Sequence, residues 1–80
     1  MIDPTLAPVW DYLASTIRGY RIAGTCDARV GVVLEDYVGH AGRLVRDRHL
    51  TLSEGLVLAN RAVRAARDLH ALEEARRAPR

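Results

Sequence analysis

Residues 51–77, TLSEGLVLANRAVRAARDLHALEEARR, begin with the strongest helix-start signal in the chain. Thr51 and Glu54 have the spacing of a capping box, in which each side chain accepts a hydrogen bond from the backbone N–H of the other residue. After Gly55, neither glycine nor proline interrupts the chain until Pro79. The pattern therefore predicts one helix over residues 52–77, about 40 Å long at the usual rise per residue.

The apolar side of this third helix is broad and made mostly of small residues. Its apolar positions cover an arc of about 200°, which is wider than contact with a single neighbouring helix requires. Alanine dominates the arc, so a neighbour can approach closely but each buried residue contributes little transfer free energy. The opposite, polar face carries Asn60, Arg61, Arg64 and Arg67.

Two shorter helices are predicted upstream. Asp3 followed by Pro4 is a typical helix start, because Asp caps the first turn and proline is tolerated at the first helical position. The first helix is expected over residues 4–20. Within it, Trp10 lies on the apolar side and Tyr12 points to the opposite, solvent side.

The second helix is expected over residues 27–48, with an N-cap at Thr25 or Asp27. The sequence therefore predicts an all-α, three-helix bundle formed by one short helix and a long helical hairpin. At 80 residues the chain is expected to form a single domain over residues 1–78, with 79–80 as a frayed tail.

Three glycines lie inside the second helix, at positions 31, 39 and 42. Each costs up to about 1 kcal/mol relative to alanine in a helix interior, so some interaction should compensate. Close approach of another helix against Gly31, Val38 and Gly42 is the interpretation we favour. The alternative is a break between Gly39 and Gly42 that gives two short helices.

The glycine flank of the second helix and the broad arc of the third both predict contact with a further surface. A homodimer that forms through the hairpin, with four helices in its core, supplies that surface. A compact monomer is the alternative. The residues predicted to form the dimer interface are Gly31, Val38, Gly42, Leu56, Ala59, Val63 and Ala66.

Charge is distributed unevenly along the chain. The net charge is +2, and all twelve basic residues are arginine. Residues 1–40 carry three arginines and five acidic residues, whereas residues 41–80 carry nine arginines and five acidic residues. The C-terminal half therefore favours an acidic or phosphate-bearing partner. A chain this short, rich in arginine and without lysine fits a bacterial or phage accessory protein.

Membrane insertion and secretion are not expected. Arginine or aspartate interrupts each apolar run before it reaches the roughly 18 residues that a membrane span needs. The first residues lack the basic segment of a signal peptide. A location in the cytoplasm is therefore predicted.

Catalytic, metal and cofactor chemistry are not indicated by the sequence. Asp36 and His40 have the spacing of a surface pair on one helix, but no nucleophile accompanies them. Cys26 near a helix start can have a lowered pKa, yet with no second cysteine and no nearby base it is read as a passive small residue. We expect no catalytic residue, no metal site, no cofactor and no small-molecule substrate.

The function predicted from the sequence is a small, non-enzymatic protein–protein interaction module. It is expected to act as a homodimer that binds and modulates a host protein through Tyr12, Asn60, Arg61, Arg64 and Arg67. The alternative is a small DNA- or RNA-binding regulator that uses the arginine face of the third helix. That alternative fits less well because Leu52, Gly55 and Leu56 occupy the helix start, where base-reading side chains usually lie.

Overall fold

A computed structural model describes residues 6–78 and contains three helices and no strand in that range. They are α1 (Leu6–Ile22), α2 (Ala28–Arg46) and α3 (Leu52–Arg77). The all-helical fold with three helices is therefore confirmed. The predicted start at Asp3 and Pro4 and the predicted tail at 79–80 lie outside the described residues. None of the three helices is long and apolar enough to cross a membrane.

Local capping interactions define the helix ends. Helix α1 continues to Ile22, two residues beyond the prediction, because Gly24 adopts the left-handed backbone conformation (φ 79°) that ends it. The Asp27 carboxylate caps α2 by accepting from the backbone N–H of Arg29 at 2.9 Å. Helix α2 then runs without a break through Gly39 and Gly42.

The capping box at the start of α3 forms as predicted. The backbone N–H of Thr51 donates to Glu54 Oε1 at 2.9 Å, and the backbone N–H of Glu54 donates to Thr51 Oγ1 at 3.1 Å. The first of these bonds is the main reason that the pKa of Glu54 is lowered, since it favours the charged carboxylate. The box sets where α3 begins and therefore which of its residues face the hairpin.

Trp10 of α1 fills the space where α2 and α3 come together. A Cβ atom at Gly42 would lie 2.8 Å from Trp10 Cγ, and a Cβ atom at Gly55 would lie 3.2 Å from Trp10 Cη2 and overlap Val45. The indole ring therefore packs directly on the backbone of both helices. The rest of the core is built mainly from small or branched side chains, which are Ile17, Val38, Ala41, Ala59, Ala62, Val63 and Ala66.

Polar contacts attach the other end of α1 to α2. The carboxylate of Glu35, whose side chain is largely buried, accepts from Arg18 Nε at 3.0 Å and from Arg21 Nε at 2.9 Å. The aliphatic stem of Arg21 lies on Gly31, where an added Cβ would come within 2.9 Å of it. Charge-assisted hydrogen bonds of this kind are stronger than neutral ones, so this double pair fixes the angle and register of α1 on α2.

The turn between α2 and α3 contains no glycine. Arg48 takes the left-handed conformation instead, with φ 64°. The backbone N–H groups of His49 and Leu50 both donate to the carbonyl of Leu44, at 2.9 and 3.2 Å. These bonds close the end of α2 and hold Arg48 in a conformation that L-residues disfavour.

Substitution of two glycines on α2 tests the contact with Trp10. Gly42→Ala should lower the free energy of unfolding by about 1–3 kcal/mol, because the added methyl group overlaps a rigid indole ring. Gly39→Ala is the matched control, since only the flexible end of Arg43 lies near it, and it should raise stability by up to about 1 kcal/mol. Urea unfolding followed by circular dichroism measures both. Equal stabilisation by the two substitutions would contradict the Trp10 contact.

The turn provides a second test. Arg48→Gly should raise the free energy of unfolding by about 0.5–1 kcal/mol, because glycine adopts a positive φ without the steric cost that arginine bears. Arg43→Gly, five residues earlier and inside α2, should instead lower it by about 1 kcal/mol. The midpoints of urea unfolding give the comparison, and a loss of stability in Arg48→Gly would contradict the left-handed conformation of Arg48.

Candidate interaction surfaces

The residues predicted to form a dimer interface lie inside one chain. Six of the seven are buried, and Leu56 is half-buried. The buried six are Gly31, Val38, Gly42, Ala59, Val63 and Ala66. Trp10 covers Gly42 and the stem of Arg21 covers Gly31. The close neighbour that the glycine flank required is therefore α1, and these residues do not offer a free surface to a second copy.

The hairpin nevertheless has a second apolar face, which we call the open hairpin face. Its residues are Val30, Val33, Tyr37, Ala65 and Leu72, all of them exposed. Val33 is 65% exposed and Leu72 is 56% exposed. On α2, the residues of this face lie about 100–180° round the helix from those that meet α1.

A shallow apolar cleft runs between the two helices at this face. It has a volume of about 190 Å³ and is lined by Leu34, Tyr37, Arg61, Ala62 and Ala65. Arg61 is the one charged residue among the described residues of that lining. The sequence pattern indicated Gly31, Val38 and Gly42 as the contact surface of α2 and did not distinguish the outer edge, which carries Val30, Val33 and Tyr37. The large fraction of valine and tyrosine on that edge was the available signal.

The outer side of α3 carries a second surface, which we call the arginine groove. It is a concave region of about 570 Å³ lined, among the described residues, by Ser53, Leu56, Val57, Asn60, Arg61, Val63, Arg64 and Arg67. Four of the five residues predicted to bind a partner lie here: Asn60, Arg61, Arg64 and Arg67. Leu56, Val57 and Val63 form its apolar floor.

The three arginines of the groove are exposed and make no ion pair with any residue between Leu6 and Ala78. Arg64 and Asp68 have the spacing of an intrahelical pair, but no such pair forms. Glu73 and Arg77, which have the same spacing, do pair at 3.2 Å. Three positive charges that pair with no carboxylate of the described residues therefore line one side of α3.

Tyr12, the fifth residue predicted to bind a partner, is on a different surface. It is 72% exposed and lies about 160° round α1 from Trp10, which faces α2 and α3. Its neighbour Thr16 donates a hydrogen bond back to the Tyr12 carbonyl at 3.1 Å. The structure therefore does not bring Tyr12 together with the arginines of α3.

The titratable side chains are dispersed. Burial raises the pKa of the Cys26 thiol, and the nearby carboxylate of Asp27 raises it further. A reactive cysteine requires a lowered thiol pKa, so the shift at Cys26 is in the opposite direction. Between residues 6 and 78, Asp36 and His40 form neither a hydrogen bond nor an ion pair, and His70 stacks on Tyr20 with ring centroids 4.7 Å apart.

The same range contains no group of three or more histidine, cysteine or acidic side chains placed to hold a metal ion. The surfaces that combine exposure with a coherent chemical character are therefore the open hairpin face and the arginine groove. One is almost wholly apolar, and the other combines an apolar floor with positive charge.

Comparison of this chain with protein-family models, with curated proteins and with solved structures gave no match. No relative therefore assigns a role to any of its residues. The chemistry of the open hairpin face and of the arginine groove is what supports a function.

Proposed function

We propose that this chain is a small, non-enzymatic protein–protein interaction module that pairs with a second copy of itself and regulates another protein by binding it. The open hairpin face carries this proposal. Val30, Val33 and Tyr37 lie on one exposed side of α2, and Tyr37 lines the apolar cleft together with Ala65 of α3. An exposed, contiguous apolar region of this kind is typical of an interaction site.

The arrangement of residues on α2 supports pairing with a second copy. Tyr37 stands at the midpoint of α2 (Ala28–Arg46), with Val30 seven residues before it and half-buried Leu44 seven residues after it. A two-fold axis near Tyr37 would set the two α2 helices antiparallel and oppose Val30 of one copy to Leu44 of the other. A surface that is complementary to itself in this way is what a two-fold dimer requires.

Such a dimer would complete the core that one chain leaves open. Two hairpins packed through this face give four helices around a shared apolar layer. Small domains gain stability from association because one short chain buries little apolar surface. The proposal keeps the predicted dimerisation through the hairpin but assigns it to the open hairpin face. A cytoplasmic location and a role as an accessory protein remain predictions.

Nucleic-acid binding is the second candidate function. The observation that favours it is the row Arg61, Arg64 and Arg67, exposed on one side of α3 and without ion pairs to described residues. Arginines in such a row can neutralise phosphates. Affinity for a DNA or RNA duplex should then fall steeply with salt, and each arginine replaced should reduce the slope by about one.

Substitution of two adjacent valines tests the dimer. Sedimentation at concentrations between about 10 µM and 1 mM should give a dimer for the unmodified chain and a monomer for Val33→Glu, because a carboxylate in the pairing face would lose its water. Val32→Glu is the matched control, since Val32 is also exposed (46%) but lies about 100° further round α2.

The control should keep the dimer mass. A monomer mass for the unmodified chain over the whole range would overturn the proposed pairing. Equal loss of the dimer in both variants would also overturn it, because the effect would then follow from added charge and not from the face that carries it.

A further inference from the structure

We infer that the arginine groove is the docking site for an acidic amphipathic helix of the partner protein. This inference rests on the proposed function, since it names the partner that such an interaction module would bind. It uses a surface different from the one proposed for pairing, and Arg61 is the one residue that lines both the groove and the apolar cleft.

The dimensions of the groove suit a helix. Its lining extends from Ser53 to Arg67, which is about 21 Å along α3 at 1.5 Å per residue. A partner helix of about four turns has the same length. Leu56 is half-buried and Val57 is 50% exposed, so these two side chains offer the apolar contacts that a helix lying in a groove uses.

The positive charges of the groove favour a negatively charged partner. Arg61, Arg64 and Arg67 follow one another at intervals of about 4.5 Å along the helix axis. The other polar groups in the lining, Ser53 and Asn60, are neutral. Glutamate or aspartate residues three or four positions apart on the partner helix would meet these arginines, and the guanidinium group binds carboxylates in a two-pronged geometry.

Of the eight other described arginines, six pair with a carboxylate, whereas Arg43 and Arg48 do not. What sets the groove arginines apart is that three unpaired ones follow one another on a single helix. Arg18 and Arg21 share Glu35, and Arg76 and Arg77 share Glu73. In both places a carboxylate of this chain already satisfies the positive charge. The arginine groove has the residue type for the same interaction but has no acidic side chain in its described lining, so the complementary carboxylates would come from the partner.

The apolar floor favours a protein over a nucleic acid. Val57 is half-exposed, and Leu56 lies next to it in the first half of α3. Base-reading polar side chains would be expected there in a helix that enters a DNA groove. An amphipathic helix can bury these two side chains under its own apolar stripe while its acidic residues meet the arginines.

The test uses the full chain labelled with ¹⁵N and a synthetic 16-residue peptide with capped ends, built from leucine, alanine and glutamate. In this probe, leucines form one helical stripe and glutamates flank it. Amide chemical-shift changes should be concentrated in residues 53–67. Replacement of Arg61, Arg64 and Arg67 together by glutamine should weaken binding at least tenfold, whereas the matched triple replacement of the exposed Arg29, Arg43 and Arg46 should leave it within twofold.

Three results would overturn the inference. The first is equal binding of a peptide of identical composition whose glutamates and leucines are scattered around the helix. The second is a set of chemical-shift changes centred outside residues 53–67. The third is binding of a 16-base-pair DNA or RNA duplex in preference to the peptide. The last result would favour the nucleic-acid alternative. Sedimentation and peptide titration of Val33→Glu and of a double variant, Arg64→Gln with Arg67→Gln, separate this inference from the proposed pairing. The double variant leaves Arg61 unchanged because Arg61 also lines the apolar cleft, so each variant should disturb one property and leave the other unchanged.

Discussion

The Trp10 ring packs against the backbone of Gly42 and Gly55, and this contact holds the three helices together. Each glycine lacks the Cβ atom that would otherwise meet the ring or the neighbouring Val45 side chain. The core contributed by α3 consists largely of alanine, which brings little apolar volume. One large ring inserted where the two helices meet supplies the missing volume, and close packing without voids is what makes such a small core effective.

The position of α1 then decides which surfaces stay available. Trp10 and the Arg18–Glu35–Arg21 contacts hold α1 along one flank of the hairpin. The opposite flank, with Val33 and Tyr37, and the outer side of α3 remain exposed. The two proposed binding surfaces are therefore both exposed because α1 packs on the glycine flank. A helix on the other flank would have covered the open hairpin face and left the glycines without a packing neighbour.

Much of the fold could be predicted from local sequence signals. The capping box at Thr51 fixes the start of α3, and the apolar positions at helical spacing identify three helices. The partner of the glycine flank could not be predicted, because periodicity gives the side of a helix that needs a neighbour but not which element supplies it. The arginine groove was foreseen as a row of residues, whereas the exposed edge of α2 depends on tertiary packing and was missed.

The most direct measurement is a nuclear Overhauser experiment on Trp10, the single tryptophan of the chain. A sample that mixes labelled and unlabelled chains, recorded with isotope filtering, separates contacts within a chain from contacts between chains. If Trp10 packs on Gly42 and Gly55 of its own chain, strong effects are expected between the Trp10 ring protons and the Hα protons of these two glycines within one chain. Effects to these glycines that arise only between chains would contradict it, because the glycine flank would then belong to the dimer interface.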